Sequence, residues 1–170
     1  MRIARRALIV LVGLTLGFGT GASATAASRA QSTGSAPVTL VAPAGWFTSA
    51  DGKVVAQAEA DLSAAVPAGP RAQVIKVRRA KQGVSPLTKR ITAAEGSDPE
   101  LVDGPTDVTL GSGSLTGTVI TFSVTVRGER LVQRYVIVNP PDGEPSLILL
   151  EAPEAQWAGA VDTLMTTLTE

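Results

Sequence analysis

Apolar and polar positions alternate most regularly between residues 118 and 138. The first half shows the period-two pattern of a strand with one face against a core, and its apolar positions are Ile120, Phe122, Val124 and Val126. Residues 131–138 form a second run rich in β-branched and aromatic side chains, after the turn sequence Arg-Gly-Glu-Arg. The pattern therefore predicts a β-hairpin.

The glycine in this turn suggests the hairpin register. Gly128 and Glu129 as a two-residue loop would give a type II′ turn, which needs a positive φ at its first central position. The expected cross-strand pairs are Val126 with Leu131, Val124 with Gln133, Phe122 with Tyr135, and Ile120 with Ile137. A one-residue slip would place Arg134 opposite Phe122, and a buried unpaired guanidinium costs more than a buried amide.

Other apolar runs predict further elements. Strands are expected at residues 38–41, 53–58, 71–79, 108–110 and 147–150, the last of them covered on both faces. A short helix is expected at residues 60–66, and a second helix is expected to begin with Ser85 as its cap and Pro86 at its first position. Residues 97–106 contain two prolines and a glycine and are expected to form a loop.

The last helix, opened by Pro153, has an apolar stripe at helical spacing. The stripe consists of Trp157, Ala160, Val161, Leu164, Met165 and Leu168. Its burial needs a large apolar partner, and the hairpin sheet supplies one. We therefore expect an α+β fold, with a mostly antiparallel sheet packed by the C-terminal amphipathic helix and by the Ser85 helix on the other face or at an end.

The N-terminal region resembles a targeting segment more than part of the fold. A basic start, an apolar stretch of residues 7–18 and a small-residue tail predict a signal peptide over residues 1–27. An uncleaved anchor and twin-arginine export are the alternatives. Residues 28–36 are expected to be a flexible leader, and residues 37–170 a single domain that is secreted or otherwise extracytoplasmic.

Charge and cysteine content narrow the classes of partner. Four of the 15 basic residues precede residue 31 and all 15 acidic residues follow it, so 11 basic residues face 15 acidic ones and the net charge of that part is −4. Such a domain is not expected to bind nucleic acid, and no stable membrane span is expected in the mature form. With no cysteine, disulfides and a lipidated N-terminal Cys are impossible.

The absence of His and Cys also removes most catalytic chemistry. No Ser-His-Asp triad, thiol nucleophile or Cys/His zinc site can form, there is no Ser-x-x-Lys motif, and no cofactor is expected. Carboxylates remain, concentrated in one segment: Glu95, Asp98, Glu100, Asp103 and Asp107. A solvated acidic loop, a carboxylate pair for glycoside hydrolysis and a calcium site are the alternatives for this segment.

A basic segment precedes these acids. A patch for an anionic partner is predicted at Arg71, Lys76, Arg78, Arg79 and Lys81, with Lys89 and Arg90 nearby. The alternative is that this segment lies beside the acidic one and forms surface ion pairs. Separately, Trp46 after a Pro-x-Gly turn either closes the end of a core or offers a ligand platform.

Three short motifs resemble a known family. The Pro43-Ala-Gly45-Trp46 turn, the strand at residues 134–138, and the Leu149-Leu-Glu-Ala-Pro153 segment leading to Trp157 resemble secreted actinobacterial domains of the LpqN and PsbP-like type. The resemblance implies an αβα sandwich and an accessory, non-catalytic role in the cell envelope. It provides no catalytic residues that map onto this sequence. Many LpqN-type members are lipoproteins, whereas this chain has no lipobox Cys.

The predicted function is that of a secreted, non-enzymatic accessory or binding domain of the cell envelope. Its expected partner is an envelope protein or an anionic envelope component. Two alternatives remain open at this point: a carboxylate-dependent hydrolase of envelope glycans, and a structural module that pairs with other proteins through a sheet edge.

Overall fold

A computed structural model describes residues 38–75, 83–95, 98–110, 115–138 and 145–169 of the chain. The strands are β1 (Thr39–Leu40), β2 (Phe47–Thr48), β3 (Val54–Ala56), β4 (Arg71–Ile75), β5 (Glu100–Leu110), β6 (Leu115–Val126), β7 (Glu129–Val138), β8 (Ser146–Pro153) and β9 (Leu168–Thr169). The helices are α1 (Val84–Glu95) and α2 (Glu154–Thr166), and a 3₁₀ turn covers Glu59–Leu62. The predicted signal peptide and leader lie outside the described residues.

Seven strands form one antiparallel sheet in the order β2-β3-β4-β8-β7-β6-β5. A second, two-stranded sheet pairs β1 with β9 and so joins the start of the described chain to its end. The α+β prediction is confirmed. No helix within the described residues is long and apolar enough to cross a membrane.

Each face of the large sheet carries one helix and one apolar core. The core on the α1 side contains Leu87 and Ile91 of the helix, packed with the even-numbered apolar positions of β6 and the odd-numbered ones of β7. The core on the α2 side contains Ala160 and Leu164, packed with the opposite faces of the same strands. The two helices therefore enclose the sheet in the αβα arrangement that the resemblance implies.

The amphipathic α2 helix is confirmed, with one difference at its C-terminal end. Ala160 and Leu164 are buried, and Trp157 and Met165 are half-buried against the core, whereas Val161 is half-buried without belonging to that core. Leu168 is buried as well, but it lies in β9 rather than in the helix. The hydrogen bonds from Thr167 to Leu164 mark the change from helix to strand.

The hairpin is confirmed, but its predicted register was wrong by two residues. Val126 pairs with Glu129, and the loop is Arg127-Gly128, with φ of 53° and 88°. Two positive φ angles define a type I′ turn, whose twist matches that of the strands. A two-residue shift leaves every side chain on its original face, so the hydrophobic pattern could not distinguish the two registers.

The new register changes the cross-strand partners. Phe122 faces Gln133 and Ile120 faces Tyr135, instead of the predicted Tyr135 and Ile137. Phe122 and Tyr135 still meet diagonally, in an edge-to-face contact with ring centroids 6.1 Å apart. The expectation that Gln133 rather than Arg134 shares a face with Phe122 is confirmed.

Three other sequence predictions are corrected. Residues 100–106 are not a loop but belong to β5, an edge strand that pairs with β6 despite two register shifts between Leu101 and Thr106. The predicted helix at residues 60–66 is only the short 3₁₀ turn. Helix α1 begins at Val84, so Ser85, the predicted cap, lies inside it.

The predicted turn at Asp51-Gly52 is confirmed between β2 and β3. Asp51 accepts hydrogen bonds from the Lys53 side chain at 2.7 Å and from the Ser49 hydroxyl at 2.8 Å. These bonds hold the pKa of the Asp51 carboxyl at about 2, although the group is exposed. The turn is therefore closed by its own side chains.

Gly104 lets the irregular part of β5 lie close to β6. Its φ is 95°, and a Cβ at this position would clash with the backbone carbonyl oxygen of Val119. We expect Gly104→Ala to lower the free energy of unfolding by about 1 to 3 kcal/mol. Gly128→Ala is the control, because Gly128 has a similar φ of 88° with open space around it. Urea unfolding in which Gly128→Ala costs more than Gly104→Ala would contradict the close contact.

Candidate functional site

A row of polar side chains is buried on the α1 face of the sheet. Arg71 of β4 pairs with Glu151 of β8, with Nη2 and Nε of the guanidinium 2.6 and 2.9 Å from the same carboxylate oxygen. Gln133 of β7 donates to the other oxygen at 3.3 Å and accepts from the Tyr135 hydroxyl at 2.9 Å. The row follows the register, because Arg71, Glu151 and Gln133 are direct cross-strand partners.

The segment between β3 and β4 closes over this row. The second terminal nitrogen of Arg71 donates to the backbone carbonyls of Asp61 and Ala64, at 2.8 and 2.6 Å. The buried Asp61 carboxylate accepts from the amides of Ala68 and Gly69. Each of these buried charged groups is thus satisfied by groups that hold the fold together.

This arrangement changes the predicted anionic-partner patch. Arg71 is only 7% exposed and is held in the ion pair with Glu151, so it is not available to a partner at the surface. Lys76, Arg78, Arg79 and Lys81 lie outside the described residues, and for them the patch stays a prediction. Sequence reasoning counted Arg71 with them because it lies in the same acid-free segment.

The described acids of the segment from residue 95 to 107 are spread along β5 and its approach. Asp98 accepts from Thr92, Asp107 accepts from Thr118, and Glu100 pairs with Arg130 at 3.2 Å. Each of these three carboxylates thus has a partner from outside the acidic segment. Among the described residues, no group of three or more potential acidic ligands could hold a metal ion.

A groove lies beside helix α2, opposite the first hairpin of the large sheet. We call it the Trp46 groove; it has a volume of ≈230 Å³. Its described lining is Trp46, Gln57, Pro70, Gln156, Gly159, Ala160 and Thr163. None of these side chains carries a charge.

The parts of the groove come from three elements. The indole of Trp46 is half-buried against the α2-side core, positioned by the turn in which its amide donates to the Pro43 carbonyl at 3.0 Å. Gln156 of α2 donates to the Ala68 carbonyl at 3.0 Å. Gly159 follows Gln156 about one turn further along α2. It leaves the groove open, because a Cβ added at this position would have no atom within 4 Å.

The groove combines features that suit a neutral, hydrogen-bonding ligand. The indole offers an apolar face, while the amides and a hydroxyl offer donors and acceptors. Trp46 packs against the α2-side core and also lines a concave surface, and its role as a ligand platform stays a prediction. Gln57 and Gln156 had no sequence signal, because they lie about 100 residues apart.

A larger cleft lies at the β5–β6 end of the sheet. It has a volume of ≈450 Å³, and its described lining is Asp107, Val108, Thr109, Thr116, Gly117 and Thr118. Asp107 and Thr118 are hydrogen-bonded to each other across the two strands at 3.2 Å. The cleft lacks the aromatic surface of the Trp46 groove.

A third polar surface was missed by the sequence reasoning. Arg134 lies on the α2 face of β7, the face that also carries Val132, Val136 and Val138. Its guanidinium lies over the Trp157 ring, with Cζ 5.3 Å from the ring centroid, and Nε donates to the Thr121 hydroxyl at 3.1 Å. An arginine at a core-facing position of an apolar strand is the signal that could have identified it.

Comparison with known proteins gives a distant structural likeness. No family model matches the chain, and none of the curated proteins matches it. Among solved structures, it is similar to the crystal structure of LpqN, which is involved in cell envelope biogenesis of Mycobacterium tuberculosis. The two share 14% sequence identity with a TM-score of 0.43, over 82% of this chain and 86% of that chain. Membership of that family stays a prediction.

Proposed function

We propose that this chain is an extracytoplasmic accessory domain that binds a component of the cell envelope and acts by binding rather than by catalysis. The observation that carries the proposal is the Trp46 groove, where an indole and two amides meet on an uncharged concave surface. The predicted signal peptide at residues 1–27 is the basis for the location outside the cytoplasm.

The groove suits part of a larger ligand. Its volume of ≈230 Å³ is below the range of about 300 to 1,000 Å³ that is usual for sites enclosing a drug-sized molecule. A single ring or a short segment of a polymer would fill it. The apolar indole face and the flanking amides favour a neutral unit that carries hydroxyl or amide groups, as glycans and peptides of the envelope do.

The buried charged groups support binding over catalysis. Asp61, Arg71 and Glu151 are each held by hydrogen bonds within the fold, and none of the three is among the described lining residues of the Trp46 groove. A catalytic acid or base needs access to a substrate proton, which these three side chains do not have.

The two tryptophans of the chain allow a direct test of the groove. In Trp157→Phe the fluorescence comes from Trp46 alone, and in Trp46→Phe it comes from Trp157 alone. Each protein would be titrated with soluble, uncharged glycan fragments released from purified cell wall, which lack the free amino and carboxyl groups of peptides. We expect a saturable change of emission in the Trp157→Phe protein and none in the Trp46→Phe protein with these fragments. Binding that persists in Trp46→Phe, or no saturable binding in either protein, would contradict the proposal.

Gly159 provides a variant that fills the groove without unfolding the protein. Gly159→Ala adds a methyl group where nothing lies within 4 Å, inside helix α2. Because alanine is the better helix former, we expect the free energy of unfolding to rise by about 0.5 to 1 kcal/mol. Binding of the same wall fragments is expected to weaken at the same time. A protein that is both more stable and unchanged in binding would place the ligand elsewhere.

A further inference from the structure

The surface around Arg134 is separate from the Trp46 groove. Helix α2 presents Gln156, Gly159 and Thr163 to the groove, whereas Trp157 lies over Arg134. The Arg134 side chain is bounded by the sheet on one side and by Trp157 on another. Any ligand at Arg134 would therefore bind a different surface from the one proposed above.

The guanidinium of Arg134 is only partly satisfied. Nε donates to Thr121, but the two terminal nitrogens have no hydrogen-bond acceptor among the residues that the structure describes. Burial lowers the pKa of the guanidinium below its ordinary value, while the charges of Asp103 and Asp162 act in the opposite direction. Neither of these two carboxylates forms an ion pair with it, and a desolvated charge without a partner is costly.

Ser123 provides a second, independent unpaired group. It is 5% exposed, and its hydroxyl has no hydrogen-bond partner within the described part of the chain. Ser123 lies two residues after Thr121 on β6, and Thr121 is the direct cross-strand partner of Arg134. Its side chain therefore shares a sheet face with Arg134 and lies diagonally across from it. A buried hydroxyl and a half-buried guanidinium without partners thus occupy neighbouring positions.

The free atoms match one class of ligand group. The two terminal nitrogens of a guanidinium form a planar fork that fits a carboxylate through two parallel hydrogen bonds. The Trp157 ring restricts the position of the guanidinium plane, and the Ser123 hydroxyl can donate one further bond to the same carboxylate. A carboxylate would satisfy both unpaired groups together.

The surrounding charges disfavour strongly anionic ligands. Arg130, the other arginine on this face of β7, is already held by Glu154 at 2.9 Å and by Glu100 at 3.2 Å. Asp103 and Asp162 add negative potential around Arg134. A phosphate group or a polyanion would be repelled, whereas a ligand that also carries a positive charge would be attracted.

We propose that Arg134, Ser123 and Trp157 bind the carboxylate of a small zwitterionic ligand, such as a free amino acid, whose ammonium group is attracted by Asp103 and Asp162. The ligand class follows from the unpaired donors and the acidic surroundings. The site adds a second binding activity to the one proposed for the Trp46 groove and does not depend on it.

The test uses the Trp46→Phe protein, in which Trp157 reports on the site alone. Glycine and L-lysine are the zwitterionic probes, sodium acetate supplies a carboxylate alone, and sodium phosphate supplies a multiply charged anion, all at constant ionic strength up to about 100 mM. We expect saturable changes of Trp157 emission with glycine and L-lysine, weaker binding of acetate and none of phosphate. Equal responses to all anions, or no saturable response to the amino acids, would overturn the proposal.

Variants separate binding from folding. Ser123→Ala is expected to weaken amino acid binding about fivefold, the effect of one lost hydrogen bond. Thr121→Val with Arg134→Met replaces the polar pair by apolar side chains of similar size, so the fold should be kept while binding is lost. Asp103→Asn with Asp162→Asn should remove the preference for glycine over acetate. Amino acid binding that survives the Thr121/Arg134 replacement in a folded protein would also overturn the proposal.

Discussion

Glu151→Gln is expected to lower the free energy of unfolding by about 3 to 5 kcal/mol, the usual cost of leaving one member of a buried ion pair without its partner. Glu151 is 2% exposed and accepts two hydrogen bonds from Arg71 and one from Gln133. The amide keeps the size of the side chain but removes the charge that balances the guanidinium. Urea unfolding monitored by circular dichroism gives the measurement.

The double variant Arg71→Met with Glu151→Leu is the matched control. It removes both charges together, so no ion is left buried alone, and much of the lost stability should return. The recovery should be incomplete, because Arg71 also donates to the Asp61 and Ala64 carbonyls. A loss below about 1 kcal/mol in Glu151→Gln would mean that the pair is far more hydrated than its burial indicates.

Leu164→Ala is expected to cost about 2 to 5 kcal/mol. Leu164 is fully buried in the α2-side core, where truncation removes apolar contact and leaves a cavity beneath the helix. Alanine is a good helix former, so the loss would reflect packing and not helix propensity. Thermal and urea unfolding both report it.

Leu101→Ala makes the same chemical change at an exposed position. Leu101 lies on the edge strand β5 and is 46% exposed, so its truncation should cost much less than that of Leu164. Equal losses for the two variants would mean that α2 contributes little to the core. A large loss for Leu164→Ala alone would establish the helix as the cover of this sheet face.

The sequence predicted which side chains face a core and how the layers are arranged better than it predicted which residues pair across the strands. Alternation placed Ile120, Phe122 and Val124 against a core, and all three are buried on the α1 side. The same alternation is unchanged by a two-residue shift, so the register depended on the turn alone. The turn uses Arg127 at a positive φ, which a rule that looks for glycine at the first loop position does not find.

Residues 100–106 of strand β5 were predicted as a loop for a local reason. Glycine and proline at residues 104 and 105 are typical of loops, yet both lie within a strand whose pairing is interrupted at that place. An edge strand can accommodate them, since one of its sides needs no partner. Pairing with β6 prevailed over local propensity, and only the three-dimensional contacts reveal it.

The candidate sites were largely beyond sequence reasoning. Arg71 looked like part of a surface patch because its partner Glu151 is 80 residues away. The unpaired donors of Arg134 and Ser123 depend on the hairpin register, which the sequence did not determine. By contrast, Trp46 could be singled out early, because aromatic residues make up only 4% of the chain.

The pairing of β1 with β9 ties the two ends of the described chain to each other. Val38, Leu40 and Leu168 all belong to the α2-side core, so both of these ends are anchored on that side of the sheet. Shortening the chain at either end would therefore remove apolar contacts from the core beneath α2, whereas the core beneath helix α1 contains none of these three residues.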